Sequence, residues 1–187
     1  GTSAILLGAI LGAMMGFDLG GPVNKVAYAF ATAGLAGAGA AADSPPLLIM
    51  AAVMAAGMVA PLAMALATTV RPKLFSEPER ENGKAAWLLG ASFISEGAIP
   101  FAAADPVRIM SSSVVGSAIT GALAMAFGLG IRAPHGGLWV TPIMGSITQV
   151  LLFIVALAVG VVVMASIVIF LKSRDSRLAE VEAVATV

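Results

Sequence analysis

Ser95-Glu96-Gly97-Ala98-Ile99-Pro100-Phe101 sets a carboxylate just ahead of a glycine and a proline inside otherwise apolar sequence. An unpartnered charge at membrane depth is costly, and acids kept there commonly serve ions or polar solutes. A carboxylate can accept a hydrogen bond from a hydroxyl, or take its proton as the oxygen becomes a nucleophile. Gly97 and Pro100 interrupt helical hydrogen bonding, and broken backbone at that depth is tolerated only where it is buried in protein or lines a polar cavity. Glu96 is therefore the first candidate for a functional residue.

Three further polar groups punctuate the apolar sequence. In Asp18-Leu19-Gly20-Gly21-Pro22-Val23-Asn24-Lys25, two readings stand: an open backbone whose Asp18, Asn24 and Lys25 bind hydroxyls, or a helix-linking turn with Asp18 paired to Lys25. Asp105-Pro106 has the form of a helix start, an acidic N-cap before a proline at the first helical position, with Arg108 as an ion partner three residues on; Asp105 is also a candidate site residue. His135, the one histidine, lies in Pro134-His135-Gly136-Gly137. It reads either as a surface loop residue or, held by the proline and two glycines, as a second reactive side chain. One histidine and no cysteine give no pattern for a metal centre, and the missing thiols remove disulfides and cysteine nucleophiles from this stretch. No cofactor-binding motif occurs. The ten methionines read as packing or lipid-facing residues.

The elements that must position these groups are membrane helices. With 59% hydrophobic and 11% charged residues and a mean hydropathy of +1.01, the chain is too apolar for an aqueous domain. A formal net charge of zero provides no electrostatic footprint for nucleic acid. Taking roughly 20 apolar residues per crossing, five segments qualify or nearly qualify: 1–17, 26–42, 45–70 with a kink expected at Pro61, 107–131 and 147–171. Residues 85–104 read as a re-entrant hairpin with Glu96 near its tip, and 132–146 as an irregular loop, a second candidate for re-entry. The expected fold is an all-α membrane protein of about five transmembrane helices plus one or two re-entrant hairpins. Basic residues gather in loop 71–84 (Arg71, Lys73, Arg80, Lys84) and in the tail 172–187 (Lys172, Arg174, Arg177), which places both on the cytoplasmic side. No phosphate-binding loop of the ATPase type is present. The opening Gly-Thr-Ser-Ala, with neither methionine nor a basic leader, is that expected of an interior stretch of a longer polypeptide.

From the residues alone, one reading is an ion-coupled secondary transporter of a small polar solute, with Glu96 and Asp105 binding a proton or sodium ion. Another is a non-catalytic membrane anchor whose polar clusters hold helices together.

Four blocks add a resemblance: Phe17 to Lys25, Gly57-Met58-Val59-Ala60-Pro61-Leu62, Ser92 to Pro106, and Ala133-Pro134-His135-Gly136-Gly137. Spread over nearly the whole chain, they resemble the membrane-embedded IIC component of the bacterial phosphoenolpyruvate-dependent sugar phosphotransferase system, in its fructose-specific branch. The resemblance implies sugar transport coupled to phosphorylation by a phosphorylated IIB domain that this stretch does not contain. It further implies that residues 1–171 are the sugar-holding C-terminal half of a IIC domain, with homodimerisation through a missing N-terminal half, in the inner membrane of a bacterial cell. The substrate would be fructose or a similar hexose or hexitol. Glu96 would be the counterpart of a glutamate that contacts the accepting hydroxyl in a Gly-Ile-Thr-Glu-Pro motif of the related glucose branch, although here Gly-Ala-Ile separates the glutamate from the proline. His135 would be a second catalytic contact, and Asp18, Asn24 and Lys25 would line the pocket.

Overall fold

The computed structural model describes residues 1–39, 41 and 43–185. Residues 40, 42, 186 and 187, which fall in the expected second span and in the tail, lie outside the described residues, as do the side chains beyond Asp175, among them that of Arg177. The described chain is helical: α1 (Thr2–Phe17), α2 (Pro22–Leu35), α3 (Pro45–Val70), α4 (Glu77–Ala91), α5 (Ile99–Ala104), α6 (Pro106–Ala126) and α7 (Ile147–Ala185), with short 3₁₀ turns at Pro72–Leu74, Ser95–Ala98 and Gly137–Met144. Three of these, α3, α6 and α7 as far as Asp175, are long and apolar enough to cross a membrane. α1 is a shorter apolar helix of 16 residues, and α2 has 14.

α3 is the axis of the bundle. Every residue from Met50 to Ala65 is buried, as expected of a helix apolar on all sides. Pro61 sits inside it without ending it. Met50, Met54 and Met58 follow one face four residues apart and are fully buried, so most methionines pack the interior, where their flexible thioethers fill irregular space.

Small residues bring α6 against its neighbours. On α1, Gly8, Gly12 and Gly16 lie against the backbone of Gly121, Ser117 and Ser113 of α6, so closely that an added Cβ would strike the α6 carbonyls. On another side of α6, Gly116 meets Gly160 of α7, each glycine's absent Cβ facing the other's carbonyl. Membrane helices gain little from the hydrophobic effect between themselves, so such close backbone approach, with its dispersion and short hydrogen bonds, is what holds them. Ser117 Oγ donates to Ala56 O of α3 at 3.0 Å, and Thr120 Oγ1 to Ala156 O of α7 at 3.3 Å.

Several expected boundaries move: α2 ends at Leu35 rather than at 42 and α6 at Ala126 rather than at 131, and two shifted starts bear on the site. The polar stretch 71–84 is a loop only to Ser76: the Ser76 hydroxyl takes the Glu79 amide while the Glu79 carboxylate takes the Ser76 amide, a reciprocal cap strong enough to start α4 eight residues before the expected hairpin leg. α2 begins at Pro22 rather than at Val26, because a proline at the first turn and the Asp18 carboxylate nucleate it early.

Candidate functional site

α4 ends at Ala91, and the chain reverses through Ser92, Phe93 and Ile94 before the 3₁₀ turn that carries Glu96 and the short α5. Residues 77–104 thus form a helical hairpin with Glu96 just past its tip. Phe93 holds φ +63°, a conformation costing a bulky residue on the order of 1–3 kcal/mol; the surroundings impose it. Its ring lies against Gly57 of α3, where a side chain would collide with it, and Ser95 Oγ donates to Gly57 O at 2.7 Å. One glycine of α3 therefore receives both the ring and the hydroxyl that seat the tip.

The Asp18–Lys25 stretch packs beside that tip. Asp18 does not pair with Lys25. Its carboxylate accepts the amides of Val23 (2.7 Å) and Asn24 (2.9 Å), which are otherwise unsatisfied donors in the first turn of α2. Asn24 is buried, and its Nδ2 donates to Met15 O at 2.8 Å. Lys25 Nζ lies 3.1 Å from Glu96 Oε1, joining two elements that are 71 residues apart in sequence. Gly20, at φ +100°, lets the carboxylate in: a Cβ there would stand 2.5 Å from Glu96 Oε1.

His135 arrives from the 127–136 connection. Gly137, at φ +62°, lies flat on the backbone of residues 91–93, with no room for a Cβ, and Trp139 Nε1 donates to Ser92 Oγ at 2.9 Å. The imidazole comes to 5.1 Å, centroid to centroid, from Phe93, which lies 5.8 Å from Tyr28.

These parts enclose a cavity of about 470 Å³, within the range of small-molecule sites. Asn24, Lys25 and Tyr28 of α2 line one side, Phe93 to Glu96 of the tip another, and His135 and Met15 complete it. Four of the six sequence candidates therefore meet: Asn24, Lys25, Glu96 and His135. Asp18 stands behind the wall as the cap of α2. Asp105 is elsewhere: it is the N-cap residue of α6 by position but makes no capping bond with its side chain, which pairs with Arg108 at 2.7 Å. Among the lining residues missed in sequence are Tyr28 and Phe93. Tyr28 is the single tyrosine, one helical turn beyond Asn24 and Lys25, a spacing that puts it on their face; nothing local marks Phe93. An acid, a lysine, an amide, an imidazole and two aromatic rings suit a small polyhydroxylated ligand, whose hydroxyls need donors and acceptors and whose C–H faces pack on rings.

Known proteins give the same direction. The chain is 57% identical over 159 residues, 85% of its length, to a protein from Vibrio cholerae named PTS system fructose-specific EIIB'BC component, and these residues cover 26% of that relative. It is 48% identical over 180 residues, 96% of its length, to the PTS system fructose-specific EIIC component of Haloferax volcanii, covering 45% of it. It is 44% identical over 168 residues to the Fructose permease IIC component of Bacillus amyloliquefaciens, covering 90% of the chain and 52% of the relative. The chain belongs to the fructose-specific IIC family of the phosphotransferase system. The match to proteins named for the IIC component alone assigns it to the membrane part rather than to an attached domain of the fused relatives. This IIC chain spans about a quarter to a half of the length of these relatives. No protein-family model and no solved structure matches it.

Proposed function

We propose that the chain forms the sugar-binding part of a fructose-type permease that couples transport to phosphorylation. The observation that carries this reading is the convergence of Lys25, Asn24, Glu96 and His135 on one cavity in a chain of fructose-specific IIC sequence. The substrate is fructose or a similar hexose or hexitol, and the phosphoryl donor is a phosphorylated IIB domain. Residues 1–171 are the sugar-holding half of the IIC domain; the remaining length of the relatives supplies the other half and its homodimer contact.

In this reading Glu96 accepts a hydrogen bond from the hydroxyl to be phosphorylated and takes its proton as the oxygen attacks phosphorus. The new O–P bond forms while the bond from phosphorus to the donor breaks, and the donor leaves with that electron pair. Alignment and charge neutralisation are the main demands of phosphoryl transfer. Lys25 and His135, on the same cavity, meet the second demand, and Tyr28 and Phe93 offer ring faces to the sugar. Asp18 acts by fixing α2.

The long apolar helices α3, α6 and α7, with the shorter α1 and α2, are the transmembrane elements in this proposal, and the 77–104 hairpin enters the membrane and returns to its own side. Loop 71–76, the start of α4 and the segment from Lys172 onward face the cytoplasm, following the basic residues, in the cell membrane.

The test uses membrane vesicles containing the full-length permease. Uptake of radiolabelled fructose should yield fructose phosphate and should require phosphoenolpyruvate with the soluble phosphotransferase proteins. Accumulation of free fructose driven by a proton or sodium gradient would instead mark a secondary transporter and end the proposal.

A further inference from the structure

The hairpin that carries Glu96 is fastened at its far end as well as at its tip. Lys172, the first charged residue after the uncharged apolar run of α7, points its Nζ between two carboxylates, Glu79 Oε1 at 3.4 Å and Asp105 Oδ2 at 3.9 Å. Glu79 is in the first turn of α4, where the hairpin begins; Asp105 directly follows α5, where it ends. All three side chains are at most 15% exposed. The Nζ also stands 5.0 Å from the centroid of the Phe75 ring. Arg108 extends the cluster, pairing with Asp105 and with Asp175, one turn of α7 beyond Lys172. A lysine taken out of water is retained only where opposite charge compensates it, and here the compensation comes from both legs of one hairpin.

We propose that Lys172 is a positioning residue for Glu96: by holding Glu79 and Asp105 together on α7 it fixes the depth at which the hairpin tip presents its carboxylate to the cavity. Glu79 is separated from the end of α4 by about 18 Å of helix, taking 1.5 Å per residue, and a helix transmits displacement at its base to its tip with little loss. The tip bond from Ser95 to α3 fixes where the hairpin rests laterally; the lysine on α7 fixes how far it reaches. Glu79 cannot serve alone, because its other carboxylate oxygen is already engaged with the Ser76 amide.

The inference rests on Glu96 acting on the sugar as described above, and a double-mutant cycle separates the two ideas. Equilibrium binding of radiolabelled fructose is measured on membranes containing the full-length permease, normalised to the amount of folded protein, for wild type, Lys172→Met, Lys172→Arg, Glu96→Gln and Lys172→Met with Glu96→Gln. Lys172→Met should weaken binding about tenfold, the size of one misplaced charge-assisted hydrogen bond, and Lys172→Arg should restore it to within about threefold of wild type. Once Glu96 is replaced, the lysine substitution should cost less than about twofold more. Losses that multiply in the double variant, or a Lys172→Met protein that binds as wild type does, overturn the positioning role and leave the role of Glu96 intact. A Glu96→Gln protein with wild-type binding overturns the reading of the site itself. Where Lys172→Met does not accumulate, Lys172→Gln in the same cycle carries the comparison, with the same outcomes deciding it.

Discussion

Glu96→Gln is the substitution that separates chemistry from architecture at this site. The change keeps the shape of the side chain and removes its charge and most of its basicity. Its structural cost should be small: the Lys25–Glu96 pair is 62% and 44% exposed on its two sides, and an ion pair of that exposure contributes no more than about 1 kcal/mol. The fold around it is held by other groups, chiefly the Ser95–Gly57 bond and the cap of Asp18 on α2. The functional cost is larger. A hydrogen bond to a charged acceptor is worth about 1.5–3 kcal/mol, so fructose binding should weaken roughly tenfold to a hundredfold. Loss of proton acceptance removes a further factor of about 10²–10⁴ from the phosphorylation rate. The assay follows phosphoenolpyruvate-dependent formation of fructose phosphate by vesicles, with thermal unfolding of the purified permease measured in parallel. Phosphorylation at near the wild-type rate would refute the assignment of Glu96, and a melting temperature that collapsed together with activity would refute the claim that its role is chemical.

Three other substitutions test the supporting parts. His135→Ala should lower the phosphorylation rate about tenfold or more, by removal of one group facing the transferring charge, with little change in melting temperature because the imidazole is exposed. Gly20→Ala combines the strain of φ +100° with a methyl 2.5 Å from Glu96 Oε1; it should reduce fructose affinity at least as much as Lys25→Met does, as equilibrium binding would record. Gly12→Val drives a branched side chain into the Ser117 carbonyl of α6 and should destabilise the permease by about 1–3 kcal/mol, visible as a lower melting temperature in detergent, while Gly1→Val, whose added Cβ meets no atom of the described residues within 4 Å, should leave it unchanged.

Much of the cavity lining was legible because its rarest residues are also the ones proposed to react. In sequence this apolar, Glu96 and His135 stand out by type, and the glycines and prolines around them announce irregular backbone. The same reasoning misplaced Asp105. The Asp-Pro pair signals a helix start and Arg108 is the ion partner expected three residues on, but the carboxylate makes no capping bond and lies away from the cavity, near Lys172 from 67 residues away, which local sequence does not specify. Asp18 was read as partner or ligand because a loop aspartate is versatile; the reach of its carboxylate to amides five and six residues on depends on Leu19 and Gly20 adopting positive φ, which no composition rule specifies. Phe93 carried no local signal, since its position comes from a vacancy on α3 at Gly57.

The sequence by itself determined that this is a bilayer protein made of helices, that helical regularity is interrupted near Glu96, and that the chain belongs with fructose-specific IIC proteins, because hydropathy, helix interruption and motif are properties of neighbouring residues; the reversal itself falls a few residues earlier, at Ser92 to Ile94. Only the tertiary structure decided which polar groups share a cavity and which are spent on holding helices. Lys25 meets Glu96, and Lys172 meets Glu79 and Asp105, because helices distant in the chain pack through glycine and serine contacts, and the energy of a charge in a low-dielectric setting is set by whichever opposite charge that packing delivers to it.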